Sequence, residues 1–140
     1  MPRMAECTLC GPLVGEVRQS RRWRVVVNRN QNLLGKTMLV LHRHAELLPE
    51  LTLDEWDDLF AQLTAVTARL SEAFAPDHFN YAFLQNADRH VHLHVIPRYA
   101  SVRDLSGENF EDPDWPHHYA PGRERAASLE IIEAISAVLA

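Results

Sequence analysis

His90-Val91-His92-Leu93-His94-Val95-Ile96-Pro97 alternates imidazole with aliphatic side chains. Alternation with period two is the pattern of a half-buried β-strand. On such a strand His90, His92 and His94 project from one face and Val91, Leu93 and Val95 from the other. Three imidazoles in a row are a poor way to build a core, because each ring carries a donor and an acceptor that need partners when buried. The strand therefore presents either a metal site or a nucleophilic site. At strand rise, the Cα atoms of His90 and His94 start roughly 13 Å apart. Zinc holds each nitrogen at about 2.0–2.1 Å, so two neighbouring rings can share an ion but all three are hard to gather on one. A division of labour fits better: one imidazole reacts while its neighbours orient it or stabilise charge. Neutral imidazole is a competent nucleophile towards phosphorus when its second nitrogen is held as a donor.

Outward from this strand, the chain reads as an antiparallel meander. Residues 13–19 form a short strand, 22–28 a stronger one with Trp23, Val25 and Val27 alternating, and 37–42 a third that follows the turn-rich Asn28–Asn32 region and Gly35. Residues 78–85 and 90–97 are two further strands. Between the third and fourth, Thr52 caps a helix and Glu55 closes a capping box, with Asp54 in the first turn. Leu53, Trp56, Leu59, Phe60, Leu63, Val66, Leu70 and Phe74 recur at helical spacing on one face, and Pro76 ends the run. Residues 112–119, with two prolines, predict an irregular loop, and 128–139 a last helix. The fold class is α+β: an antiparallel sheet of about five strands with one long helix and a C-terminal helix. Residues 1–140 make a single domain, with a core over about 5–100 and a loop and helix over about 101–140.

With 14 basic and 19 acidic residues the net charge is −5, and 46% of the residues are hydrophobic, an ordinary soluble composition. A mildly acidic chain lacks the electrostatic footprint of a nucleic-acid binder. Arg18, Arg21, Arg22 and Arg24 read as a solvated strand face. Residues 1–6 hold no apolar leader core, and no window approaches a membrane span. The expected location is the cytoplasm, where the two cysteines, Cys7 and Cys10, are reduced.

The run His90-Val91-His92-Leu93-His94-Val95-Ile96, followed by Pro97-Arg98, closely resembles the defining motif of the histidine triad family. Val25-Val26-Val27-Asn28 resembles the family's strand ending in a ribose-binding residue, and Gly35–His44 resembles its Gly-His-x-Leu-Val-x-Pro-x-x-His segment. Lys36 stands here for the family's histidine and His42 for its proline. Leu84-Gln85-Asn86 departs from the Gly-Gln element found in much of the family. The resemblance implies a nucleotide hydrolase or nucleotidyl transferase acting through a nucleotidyl-histidine. His92 would be the nucleophile, His90 would orient the site and His94 would hold the phosphoryl group. Asn28 would contact ribose, with Asn80 and Asn86 on the approach to the triad. The implied substrates are dinucleoside polyphosphates or related nucleotide conjugates, with nucleoside phosphoramidates as the alternative. No cofactor is required for that chemistry.

Cys7-Thr8-Leu9-Cys10 alone is a redox pair, half a zinc site or neither. In zinc-carrying histidine triad proteins the matching partners are His44 and His90, so the resemblance implies a structural zinc on Cys7, Cys10, His44 and His90. It also implies a homodimer. A zinc-stabilised nucleotide-binding module with little turnover, and a metallohydrolase using His90 and His92 as ligands, are the competing readings.

Overall fold

The computed structural model describes residues 6–140; residues 1–5, expected above to lack a leader core, lie outside the described residues. Among the described residues, seven strands and two α-helices follow in the order β1 (Glu16–Gln19), β2 (Trp23–Val27), β3 (Thr37–Leu41), α1 (Leu53–Phe74), β4 (His78–Ala82), β5 (His92–Arg98), β6 (Arg103–Leu105), β7 (Glu108–Phe110) and α2 (Leu129–Leu139). The first five strands form one antiparallel sheet in the order β1-β2-β3-β5-β4. The α+β plan is as expected, with five sheet strands, a long helix and a C-terminal helix.

Alternation decides which face of the sheet is the core. Trp23, Val25 and Val27 of β2, Leu39 and Leu41 of β3, and Leu93 and Val95 of β5 pack against Leu59, Val66, Leu70 and Phe74 of α1 and Ile131, Ile135 and Leu139 of α2. The Trp23 indole donates to the Glu55 carbonyl (2.8 Å), which ties β2 to the first turn of α1. That turn carries the expected capping box: Thr52 Oγ1 accepts from Glu55 N–H, and the Glu55 carboxylate accepts from Thr52 N–H. α1 ends at Phe74 because Ala75 is left-handed and Pro76 follows. The opposite face holds Val26, Val40 and Met38, with Leu9, Cys7 and Leu13 laid over them as a second, smaller cluster.

Three expectations are corrected. Only part of the long-helix stripe is core: Leu53 (82% exposed), Phe60 (73%) and Trp56 (37%) face outward. The stripe is wider than the sheet can cover, so it divides into a core-facing row and an exposed one. The triad strand begins at His92 rather than His90, because at Val91 only half of the next rung forms: Leu41 N–H donates to the Val91 carbonyl, but Val91 N–H turns to the Ala45 carbonyl and the Leu41 carbonyl is taken by the His90 ring. Residues 103–110, expected within an irregular connection, form the β6–β7 hairpin. Its two-residue Ser106-Gly107 turn has positive φ at both positions (50° and 80°), the backbone that matches hairpin twist.

Candidate functional site

The second face of the sheet carries the imidazoles. In register, His92 lies opposite Val40, and His94 opposite Met38 on one side and Ala82 on the other. His92 is 5% exposed and its Nδ1 sits 2.7 Å from the His90 carbonyl oxygen. A carbonyl can only accept, so Nδ1 carries the proton and Nε2 presents the lone pair. The His94 ring stands edge-on to His92, with centroids 4.8 Å apart. Burial, followed by the charges of His92 and Lys36, pushes the His94 pKa down to about 4, so this ring is neutral at pH 7.

His90 is engaged through both ring nitrogens. Nε2 faces the Leu41 carbonyl at 2.6 Å, and Nδ1 faces Cys7 Sγ (3.3 Å), Cys10 Sγ (3.4 Å) and His44 Nδ1 (3.3 Å). Cys10 Sγ lies 3.3 Å from His44 Nδ1, and the four donor atoms all fall within 4.8 Å of one another. Bond lengths of about 2.0–2.1 Å to nitrogen and 2.3 Å to sulfur give a zinc tetrahedron edges of roughly 3.3 Å between nitrogens and 3.6 Å between nitrogen and sulfur. The observed separations fit that shape, so Cys7, Cys10, His44 and His90 could hold a zinc ion. Burial and the hydrogen bond with Cys7 push the Cys10 thiol up to about 11. A divalent cation would supply the charge that a thiolate needs here. Outside the cluster, the Leu41 carbonyl fixes the His90 tautomer, and the Glu46 carboxylate stands 3.5 Å from His44 Nε2, both groups being mostly buried.

The sequence-expected amides divide. Asn28, one residue past β2, accepts from Asn30 N–H through Oδ1, and its own N–H donates to the Lys36 carbonyl. Alternation from Arg24 and Val26 puts it on the imidazole face. Asn80, on β4 opposite Ile96, accepts from Arg98 Nη1 through its Oδ1 (2.8 Å) and lines a cavity of about 700 Å³ with Trp115, His117 and Tyr119. Asn86 is exposed and lines a separate shallow cavity of about 240 Å³ with Glu46, Leu47, Gln85 and Arg89; no triad residue borders it. Gln85 is left-handed (φ 52°), and its amide is held by the Glu46 carbonyl.

Sequence reasoning missed two anchors. Arg24, read above as part of a solvated face, is 7% exposed; it donates to the Leu9 and Gly11 carbonyls (2.9 and 2.8 Å) and pairs with Glu16. It therefore straps the Cys7–Cys10 segment onto the sheet. Its signal was present: Arg24 alternates with Trp23 and Val25 and so belongs to the imidazole face, in the middle of a fully buried strand. The second anchor is the bidentate pair of Arg98 with Asp112, which fastens the 112–119 segment to the end of β5.

A scan against protein-family models finds no match, and a search of curated proteins finds none either. Solved structures do match. A histidine triad protein from Sinorhizobium meliloti is similar at 21% identity, covering 89% of this chain and 85% of its own, with a TM-score of 0.73. A hypothetical histidine triad nucleotide-binding protein from Sulfolobus tokodaii matches at 18% identity over 95% and 89%, with a TM-score of 0.70. A zinc-bound histidine triad family protein from Mycobacterium smegmatis matches at 15% identity over 98% and 95%, with a TM-score of 0.68. The chain thus has the histidine triad fold.

Proposed function

We propose that the protein is a histidine triad nucleotide hydrolase that cleaves at the α-phosphorus of dinucleoside polyphosphates or related nucleotide conjugates. The observation that carries this is the His92 ring, buried, with Nδ1 pinned to the His90 carbonyl so that Nε2 is the free nucleophilic nitrogen. Nε2 attacks the α-phosphorus while the bond to the leaving group breaks and the electron pair departs with that group. A nucleotidyl-histidine results. Water then attacks the same phosphorus, the P–N bond breaks, and a nucleoside monophosphate leaves. Splitting one displacement into two lowers each barrier. Neutral His94 stands beside the ring to donate to or orient a phosphoryl oxygen, and Asn28 offers its free amide nitrogen to the ribose.

Zinc on Cys7, Cys10, His44 and His90 would hold His90 in place, and with it the carbonyl that sets the His92 tautomer. The chain's own role there is positional. The zinc-bound and nucleotide-binding relatives support both halves of this reading.

We also propose that two copies pair. The exposed apolar row Leu53, Trp56 and Phe60 is continuous with β4, the sheet's outer strand, through the Trp56–Phe83 ring contact at 6.3 Å, and Tyr81 and Leu84 are exposed beside it. Apolar surface of this kind next to a free strand edge marks an association site.

The test is single-turnover trapping with labelled diadenosine polyphosphate and adenosine phosphoramidate on wild type and His92→Ala. An acid-labile nucleotidyl adduct and AMP release by wild type alone support the mechanism, and the faster substrate names the leaving group. Equal release by both proteins removes His92 from the reaction. Binding without release by either makes the protein a nucleotide-binding module.

A further inference from the structure

A nucleotide brings several negative charges, yet the two arginines that strand alternation puts on the imidazole face, Arg24 of β2 and Arg98 of β5, are already committed. Arg98 is spent on Asp112, Asn80 and the His117 carbonyl, and Arg24 on Glu16 and the carbonyls of Leu9 and Gly11. Lys36 differs. It immediately precedes β3, and the Asn28 N–H to Lys36 C=O bond (3.0 Å) extends the β2–β3 ladder one step beyond Val27 and Thr37. Alternation with Met38, which lies opposite His94, puts the Lys36 side chain on the imidazole face. Its charge is one of the groups that act on the His94 ring. The ammonium donates to the neutral Asn32 Oδ1 (2.8 Å) and meets no carboxylate among the described residues.

A structural job for this cation is already filled by others. The turn joining β2 to β3 is held by fully buried Gln31, whose amide donates to the Asn28 and Lys36 carbonyls (2.7 and 2.9 Å) and accepts from Gly35 N–H (2.8 Å). Asn28 Oδ1 and Asn30 Oδ1 close two further bonds within it. The ammonium's own share in the turn is the single bond to Asn32 Oδ1. Burial pulls the Lys36 pKa down, as expected for a cation drawn out of water without a counter-charge. Such a group is stabilised by an arriving anion.

We propose that Lys36 is the phosphate-binding cation of the site and makes it select a nucleoside 5′-phosphate over the bare nucleoside. This rests on the nucleotide reading above and adds a recognition residue to it. Lys36 lies beside Asn28 across the β2–β3 ladder and one pleat from Met38, the residue opposite His94, so the part of the ligand it meets is the phosphoryl group attached to the bound nucleoside rather than a distant leaving group. It recognises that group as a point charge.

Calorimetric titration of AMP and adenosine into wild type, Lys36→Met and Lys36→Gln tests this without any turnover. Glutamine keeps a polar group for Asn32 and removes only the charge. Both variants should bind AMP about ten- to a hundredfold more weakly, the range of a lost charge-assisted hydrogen bond, with adenosine binding within about twofold of wild type. AMP affinity in wild type should also fall with added salt, and less so in the variants. Equal losses for AMP and adenosine, or unchanged AMP binding in both variants, would overturn the role of Lys36 alone. A wild type that binds neither ligand overturns the nucleotide reading together with it.

Discussion

Asp112→Asn is the substitution whose cost the structure defines best. The Asp112 side chain is 0% exposed and that of Arg98 3%. Arg98 Nε donates to Oδ2 at 2.7 Å and Nη2 to Oδ1 at 3.3 Å, while Tyr99 N–H and Asp114 N–H donate to the same carboxylate at 3.2 and 3.3 Å. Asparagine preserves the shape, but it removes the charge and turns an NH₂ group towards donors. The guanidinium is then left buried without a counter-charge, a defect of about 3–5 kcal/mol. For a chain of this size each kcal/mol is worth roughly 3–4 °C, so the melting temperature should fall by about 10–20 °C. With a slope of about 2 kcal/mol per M, the urea midpoint should fall by about 1.5–2.5 M. Urea titration followed by tryptophan fluorescence measures this directly. Arg98→Met with Asp112→Leu removes both charges and should recover most of the loss. A single variant within about 1 kcal/mol of wild type, or a double variant no better than the single, would refute the claim that this desolvated pair fastens the 112–119 segment.

Glu46→Gln should loosen zinc about ten- to a hundredfold in competition with a chromogenic chelator, because the negative charge 3.5 Å from His44 Nε2 is lost; unchanged affinity would mean that this carboxylate does not act on the ligand. Glu55 predicts a pH window. The Arg43 guanidinium, then the Thr52 N–H and hydroxyl, hold its pKa at about 2 against an ordinary value of 4.5. A lowered folded-state pKa contributes stability that is full above pH 4.5 and lost as the pH falls towards 2. Urea midpoints should therefore drop across that window, and the drop should be shallower in Glu55→Gln. Trp56→Glu with Phe60→Glu should give a folded monomer where wild type is a dimer by light scattering at micromolar concentration; a monomeric wild type removes the pairing proposal.

The elements that periodicity could expose were legible before any coordinates: the alternating β5, the capped start of α1 at Thr52 and the C-terminal helix behind Ser128. Each rests on local chemistry, a period or a cap, that a short window contains. What could not be read depends on where the chain returns. Cys7 and His90 meet across 83 positions, and no spacing rule predicts that meeting; family resemblance nominated the set, and Arg24 is the physical reason the cysteine segment reaches it. The face of Arg24 was nevertheless implicit in its alternation with Trp23 and Val25, and the charge cluster around it concealed that.

The exposed half of the α1 stripe was hidden for a different reason. Apolar periodicity reports that a surface avoids water, but not whether the same chain or another copy covers it. Lys36 and Arg98 show the same limit for charge. In the sequence both were cations near the triad. The structure separates them by their partners: a buried carboxylate satisfies Arg98, whereas only a neutral amide answers Lys36. A cation already paired in the fold gains little from a phosphate, and one on the imidazole face whose charge meets only an amide gains much. That difference in unmet charge, rather than proximity to the motif, is what assigns the two residues different roles.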